Sequence, residues 1–132
     1  MCRWIHLARS IVLSFSLLLS VSACHQAPRP VVLTVEPEVT PQPPRVGPAT
    51  IVLKLKDGSG GPIAGARVEL EANMSHPGMS PVVGVASEIS PGSYRCPIAF
   101  SMAGDWIITT RITLTDGQKL EREFRISGVR PD

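Results

Sequence analysis

From residue 31 onward, apolar and polar residues alternate, and clusters of glycine, proline and aspartate break the alternation at regular intervals. Successive side chains of a strand point to opposite faces, so this pattern predicts half-buried β-strands. In Thr50–Lys56, Ile51, Leu53 and Leu55 share one face and Lys54 and Lys56 lie opposite. Ala66–Ala72 turns Ala66, Val68 and Leu70 inward and Arg67, Glu69 and Glu71 outward. Ser93–Phe100 aligns Tyr94, Cys96, Ile98 and Phe100, and Asp105–Thr113 aligns Trp106, Ile108, Thr110 and Ile112. Lys119–Ser127 does the same with Leu120, Phe124 and Ile126. Val31–Glu36 and Pro81–Ile89 complete a set of seven strands, and no stretch has a helical period.

The punctuation supports this reading. Asp57-Gly58-Ser59-Gly60-Gly61-Pro62, Ser90-Pro91-Gly92 and Thr115-Asp116-Gly117-Gln118 are dense turn signals. Glu36–Pro48 holds too much proline for a helix or a central strand and predicts an extended connection or a sheet edge. Short strands with evenly spaced turns point to an all-β fold, an immunoglobulin-like antiparallel β-sandwich of about seven strands. A small barrel is the competing architecture. In a sandwich, Trp106 fills the space between the sheets, Cys96 is a buried and inert thiol, and the Tyr94 hydroxyl anchors the Pro-Gly turn before it.

The N-terminus follows different rules. Arg3 and Arg9 precede the apolar run Ile11–Ser20, which is too short for a stable membrane span. Val21-Ser22-Ala23-Cys24 then resembles the lipobox of bacterial lipoproteins, an aliphatic residue and two small ones before a cysteine that receives diacylglycerol. The predicted organisation is a signal peptide over residues 1–23, a lipidated tether over 24–30, the β-sandwich over 31–129 and a tail over 130–132. The location that follows is the cell envelope, lipid-anchored and facing the periplasm. An aspartate at the second mature position would suggest retention at the inner membrane; His25 stands there and favours the outer one.

Processing at Cys24 would alter the charge and the cysteine chemistry. The formal charge of +2 resides in Arg3 and Arg9, so the mature chain is neutral and has no electrostatic footprint for nucleic acid. Of the three cysteines, Cys2 leaves with the signal and Cys24 carries lipid. Cys96 then has no partner for an intramolecular disulfide, and the core alone must stabilise the fold.

One segment gathers possible chemistry. In Asn73-Met74-Ser75-His76-Pro77-Gly78-Met79-Ser80, two methionines flank a histidine. Thioether sulfur suits Cu(I), imidazole suits copper generally, and neither adds charge. Met74 and His76 point the same way in an extended chain, and the Pro77-Gly78 turn could return Met79 towards them. Antiparallel strand order adds Met102, which follows Phe100 at the same end of the sandwich. The alternative is structural: methionine fills gaps over a core, and His76-Pro77-Gly78 is ordinary turn chemistry. No phosphate loop, dinucleotide fingerprint or zinc-type ligand pair is present, and Ser75 beside His76 is adjacency rather than a nucleophile–base pair, so no enzyme is predicted.

The order of features is more particular. After the turn Asp57…Gly61-Pro62-Ile63-Ala64-Gly65-Ala66-Arg67-Val68 come a Met/His loop, Gly92-Ser93-Tyr94, and Phe100-Ser101-Met102-Ala103-Gly104-Asp105-Trp106. This succession resembles the YtkA-like domain family, over roughly residues 31–129. The resemblance implies a small envelope β-sandwich, in some relatives associated with copper handling or oxidase assembly. It also implies candidate copper ligands at Met74, His76, Met79 and Met102. Two functions follow as expectations. The first is a membrane-tethered domain that binds copper, as Cu(I), for transfer or resistance, with an envelope protein as copper donor or acceptor. The second is a non-catalytic accessory domain of a membrane complex that holds no metal.

Overall fold

The structure is a computed structural model that describes residues 30–132 except Pro77. The expected signal peptide, Cys24 and the expected tether up to Arg29 therefore lie outside the described residues. Eight strands make up the domain: β1 (Thr34–Thr40), β2 (Gly47–Lys56), β3 (Arg67–Met74), β4 (Val82–Val85), β5 (Ser87–Ser90), β6 (Ser93–Phe100), β7 (Gly104–Thr113) and β8 (Lys119–Val129). They form two four-stranded antiparallel sheets, ordered β1-β2-β6-β5 and β4-β3-β7-β8. The architecture is the all-β sandwich that the alternation predicts.

Its core comes from the predicted faces. Ile51, Leu53, Leu55, Tyr94, Cys96, Ile98 and Phe100 enter from the first sheet; Val68, Leu70, Ala72, Trp106, Ile108, Thr110 and Ile112 enter from the second. Trp106 is 1% exposed and packs on Phe100 across the sandwich, with ring centroids 5.3 Å apart and planes tilted by 56°. A tilted pair of this kind adds about 0.5–1.5 kcal/mol beyond the area it buries.

Three local features differ from the sequence expectation, each for a physical reason. The first strand begins later and ends later than Val31–Glu36, running through Pro37 to Thr40. It is an edge strand paired on one side only, so a proline without an N–H is tolerated there. The single strand expected over Pro81–Ile89 is divided: β4 joins the second sheet and β5 the first. Ala86 forms the corner, and its N–H donates to the Val68 carbonyl at 2.9 Å. The Tyr94 hydroxyl reaches past its own turn. It donates to the Ile63 carbonyl at 2.7 Å and accepts from the Ala66 N–H at 3.0 Å, pinning the long β2–β3 connection. The Pro91-Gly92 turn is held instead by Glu88, whose Oε1 accepts from the Gly92 N–H at 3.2 Å.

The pairing defines two poles. At one, Thr34 faces Lys56, Val32 packs against Gly58, Pro62 of the Asp57–Pro62 turn lies against Gly92, and the Gly92 carbonyl accepts from the Leu55 N–H of β2. The chain therefore enters the domain at this glycine-rich pole. At the other, Gly47 faces Phe100 and Met74 faces Trp106. The connections 41–46, 75–81 and 101–103 all emerge there, and Arg130 pairs with Arg45 beside them.

Candidate metal-binding pole

Four side chains singled out by residue type stand at the second pole. Met74 is the last residue of β3 and continues the inward series Val68, Leu70, Ala72, so its side chain turns towards the core. It is half-buried and packs against the core cluster. Room for it comes from Gly104: a β-carbon built there would stand 3.2 Å from Met74 Cε. Gly104 also has φ +131°, a conformation that side-chain-bearing residues rarely adopt.

Beyond Met74 the chain leaves the sheet. The Ser75 N–H donates to the Asp105 carbonyl at 3.2 Å, which ties the start of the loop to β7. His76 is exposed, and Met79 is 41% exposed. Met102, on the connection between β6 and β7, is 47% exposed. Its carbonyl accepts the Trp106 indole N–H at 3.1 Å, so a fully buried ring holds the backbone of an exposed methionine.

The pole thus has two layers. Met74 lies beneath, in contact with core and glycine; His76, Met79 and Met102 lie outside, open to solvent. These donors are three thioethers and an imidazole, all uncharged, which is a soft set suited to Cu(I) rather than to a hard cation. Among the described residues, no group of three or more His, Cys, Asp or Glu side chains is placed to hold a metal ion. An oxygen-rich cage or a cysteine–histidine site would need such a group. Thioether and imidazole donors are the kind that Cu(I) takes.

Cys96 does not join them. It is fully buried within β6, and burial pushes its thiol above the ordinary range. A thiol so placed stays protonated and is a poor ligand.

Asp105 carries more of this pole's architecture than its position before Trp106 suggests. Its backbone carbonyl holds Ser75, and its side chain accepts from the Gly128 N–H at 2.9 Å, where the β7–β8 register shifts. Gly104, Asp105 and Trp106 together connect the two methionine-bearing connections to the sheet. The run Gly104-Asp105-Trp106 is visible in sequence, but Met74, Ser75 and Gly128, the partners of Gly104 and Asp105, lie more than twenty residues away.

A network of ion pairs lies away from this pole. Glu69, Glu71, Arg111 and Glu121 occupy the outer face of the second sheet, where Arg111 bridges Glu71 at 2.9 Å and Glu121 at 3.3 Å. Hydrogen bonds from Asn73 and Arg111 hold the Glu71 carboxyl below its ordinary value. Solvent screens exposed pairs of this kind, so they add little to stability.

The model of the YtkA-like family matches residues 31–111. The match spans β1–β6 and most of β7, and it contains Met74, His76, Met79 and Met102; β8 lies beyond it. Among solved structures, the soluble domain of PmoD from Methylocystis sp. ATCC 49242 (Rockwell) is similar, with a TM-score of 0.49 and 14% sequence identity. That alignment covers 70% of this chain and 89% of the PmoD domain. No curated protein matches the chain.

Proposed function

The chain belongs to the YtkA-like family, and from that premise we propose that it is an envelope domain that binds copper, as Cu(I), for transfer or resistance. The observation that carries the proposal is the placement of three methionines and a histidine at one pole, Met74 at the end of β3 and the others on the connections that follow β3 and β6. His76, Met79 and Met102 are the solvent-facing ligands, and Met74 approaches from below. Bound there, Cu(I) would be held without added charge, and exposed ligands would allow it to pass to a protein partner. The reading involves no catalytic step and no nucleic acid.

Cys24 is proposed as the lipid attachment site of a lipoprotein whose signal is residues 1–23. The outer membrane is the favoured location, on the strength of His25 at the second mature position. Residues 31–33 lead into β1 at the glycine-rich pole, so an anchor at Cys24 would hold that pole towards the membrane. The methionine pole would then face a periplasmic copper donor or acceptor.

The test is an anaerobic Cu(I) titration of the full chain in detergent against a competing chelator. The proposal expects saturable binding that is lost in a Met74/His76/Met79 triple alanine variant. Absence of binding, or binding unchanged by that variant, overturns it.

A second reading has one specific observation in its favour. Met74 packs on the core and over Gly104, as a structural methionine would. If all the methionines only cap the sandwich, the domain is an immunoglobulin-like accessory module of a membrane complex without metal. The same titration decides between the two.

A further inference from the structure

Trp106 touches both halves of the methionine pole. Its position in β7 is directly across from Met74 in β3, and its indole N–H bonds the Met102 carbonyl. The ring itself is sealed between the sheets against Phe100. A ring fixed on one side by packing and bonded at its only polar atom has little freedom to move. The connection 101–103 is short, so fixing the carbonyl of Met102 fixes where its side chain starts.

We propose that Trp106 is the positioning residue of the copper site, acting through the Met102 backbone and holding the exposed Met102 thioether over the Met74 side of the pole. This inference rests on the copper reading above. Trp106 is not itself a ligand, because it is 1% exposed and its one donor atom is already engaged. What it supplies is preorganisation: a ligand held near its bound geometry loses less conformational freedom when the metal arrives.

The role differs from simple core filling in a way that can be measured. Trp106→Phe keeps an aromatic ring in the core and removes the N–H. If Trp106 acts through Met102, the substitution should weaken Cu(I) binding when Met102 is present and have no further effect once Met102 is leucine. Its effect on stability should be the same in both backgrounds, since packing does not depend on the sulfur.

The experiment is a four-way comparison of wild type, Trp106→Phe, Met102→Leu and the double variant. Cu(I) affinity is read by chelator competition and stability by thermal melting, on the full chain in detergent. The expected result is a loss of affinity of several-fold to tenfold in each single variant, with the double variant no weaker than Met102→Leu. Equal losses from Trp106→Phe in both backgrounds, or no loss in either, overturn the inference. A wild type that binds no Cu(I) overturns the copper reading instead, so the two failures are distinguishable.

A second measurement covers the case in which Trp106→Phe does not fold. The chain has two tryptophans, Trp4 and Trp106, so a Trp4→Phe background leaves Trp106 as the sole indole. Its fluorescence should change in proportion to Cu(I) bound, and the change should vanish in Met102→Leu. Emission that ignores Cu(I) binding overturns the proposed link between Trp106 and the site.

Discussion

The Cys96 sulfur fills the space that a side chain on Gly84 would need: a β-carbon at Gly84 would stand 2.5 Å from Cys96 Sγ. Gly84 is in β4 of the second sheet and Cys96 in β6 of the first, so the contact closes the sandwich beside the corner at Ala86. No real carbon and sulfur approach so closely, and the pair can only be glycine with cysteine or something else with a smaller partner. Gly84→Ala is therefore expected to cost about 1–3 kcal/mol, the usual range for overpacking a tight interior. Cys96→Ala alone should cost about 1 kcal/mol, on the scale of one buried methylene. The two substitutions should not add, because the new methyl occupies the volume the sulfur vacates. Urea denaturation of both singles and the double checks this: the double should be more stable than Gly84→Ala, and simple additivity would refute the contact.

Thr110 poses the opposite problem, a polar atom with too few partners. Its side chain is fully buried in β7, and Oγ1 has no hydrogen-bond partner among the described residues. Replacing the hydroxyl by a methyl keeps the β-branched shape that a strand favours. Thr110→Val is expected to stabilise the domain by about 1 kcal/mol, since it removes a buried group that pays for desolvation without a bond in return. A rise in melting temperature measures the gain, and a fall would mean that the hydroxyl has a partner.

These two sites also show what the sequence could and could not disclose. Strict alternation placed Cys96 and Thr110 on inward faces, because a residue two positions from a buried neighbour in a strand is itself turned inward. The same rule made Trp106 and Phe100 core residues without any structure. It could not show that Val82–Val85 and Ser87–Ser90 belong to different sheets, since both pieces are extended and the division depends on contacts with Val68 and Cys96. Tyr94 illustrates the same limit, its hydroxyl bonding Ile63 and Ala66 some thirty residues earlier. At the candidate site, residue type exposed Met74, His76, Met79 and Met102, while the depth of Met74 required the register of β3 on β7, and the anchoring of Met102 by Trp106 required the backbone path of the β6–β7 connection.

Acid should loosen the glycine-rich pole before the core. Asp57 accepts from the Ser59 hydroxyl and from the N–H groups of Ser59 and Gly61, and these bonds, led by the Ser59 hydroxyl, hold its carboxyl below the ordinary value. Glu36 is lowered in the same direction by its bonds to Lys56. A carboxyl depressed in the folded state binds its proton first in the unfolded chain. Its stabilisation is complete above the unfolded value and disappears as pH falls through the folded one. Melting temperature should accordingly be flat near neutrality and decline below about pH 4.5, where unfolded carboxyls begin to titrate. Asp57→Asn is expected to be less stable at pH 7, and the gap to wild type should close on acidification. A gap that stays constant would show that the Asp57 charge contributes nothing.

Alkali should act through Tyr94, the only tyrosine in the chain. Its ring is fully buried, and burial, with the nearby Glu88 charge, pushes its hydroxyl above the ordinary value. The unfolded chain therefore loses this proton first, so the stability that Tyr94 provides is complete below about pH 10 and falls as pH rises further. Tyr94→Phe removes the donor to Ile63 and the acceptor for Ala66, and should cost about 1–3 kcal/mol at neutral pH because two backbone groups lose their partner. Above pH 10 the deficit should shrink, since only the wild type has a proton to lose. Two measurements examine this together. Urea denaturation of both proteins across the alkaline range should give converging stabilities. Tyrosinate absorbance, which reports Tyr94 alone, should develop at higher pH in the folded protein than in urea. Coincident titration curves in the two states would show that the hydroxyl is not held as the structure describes.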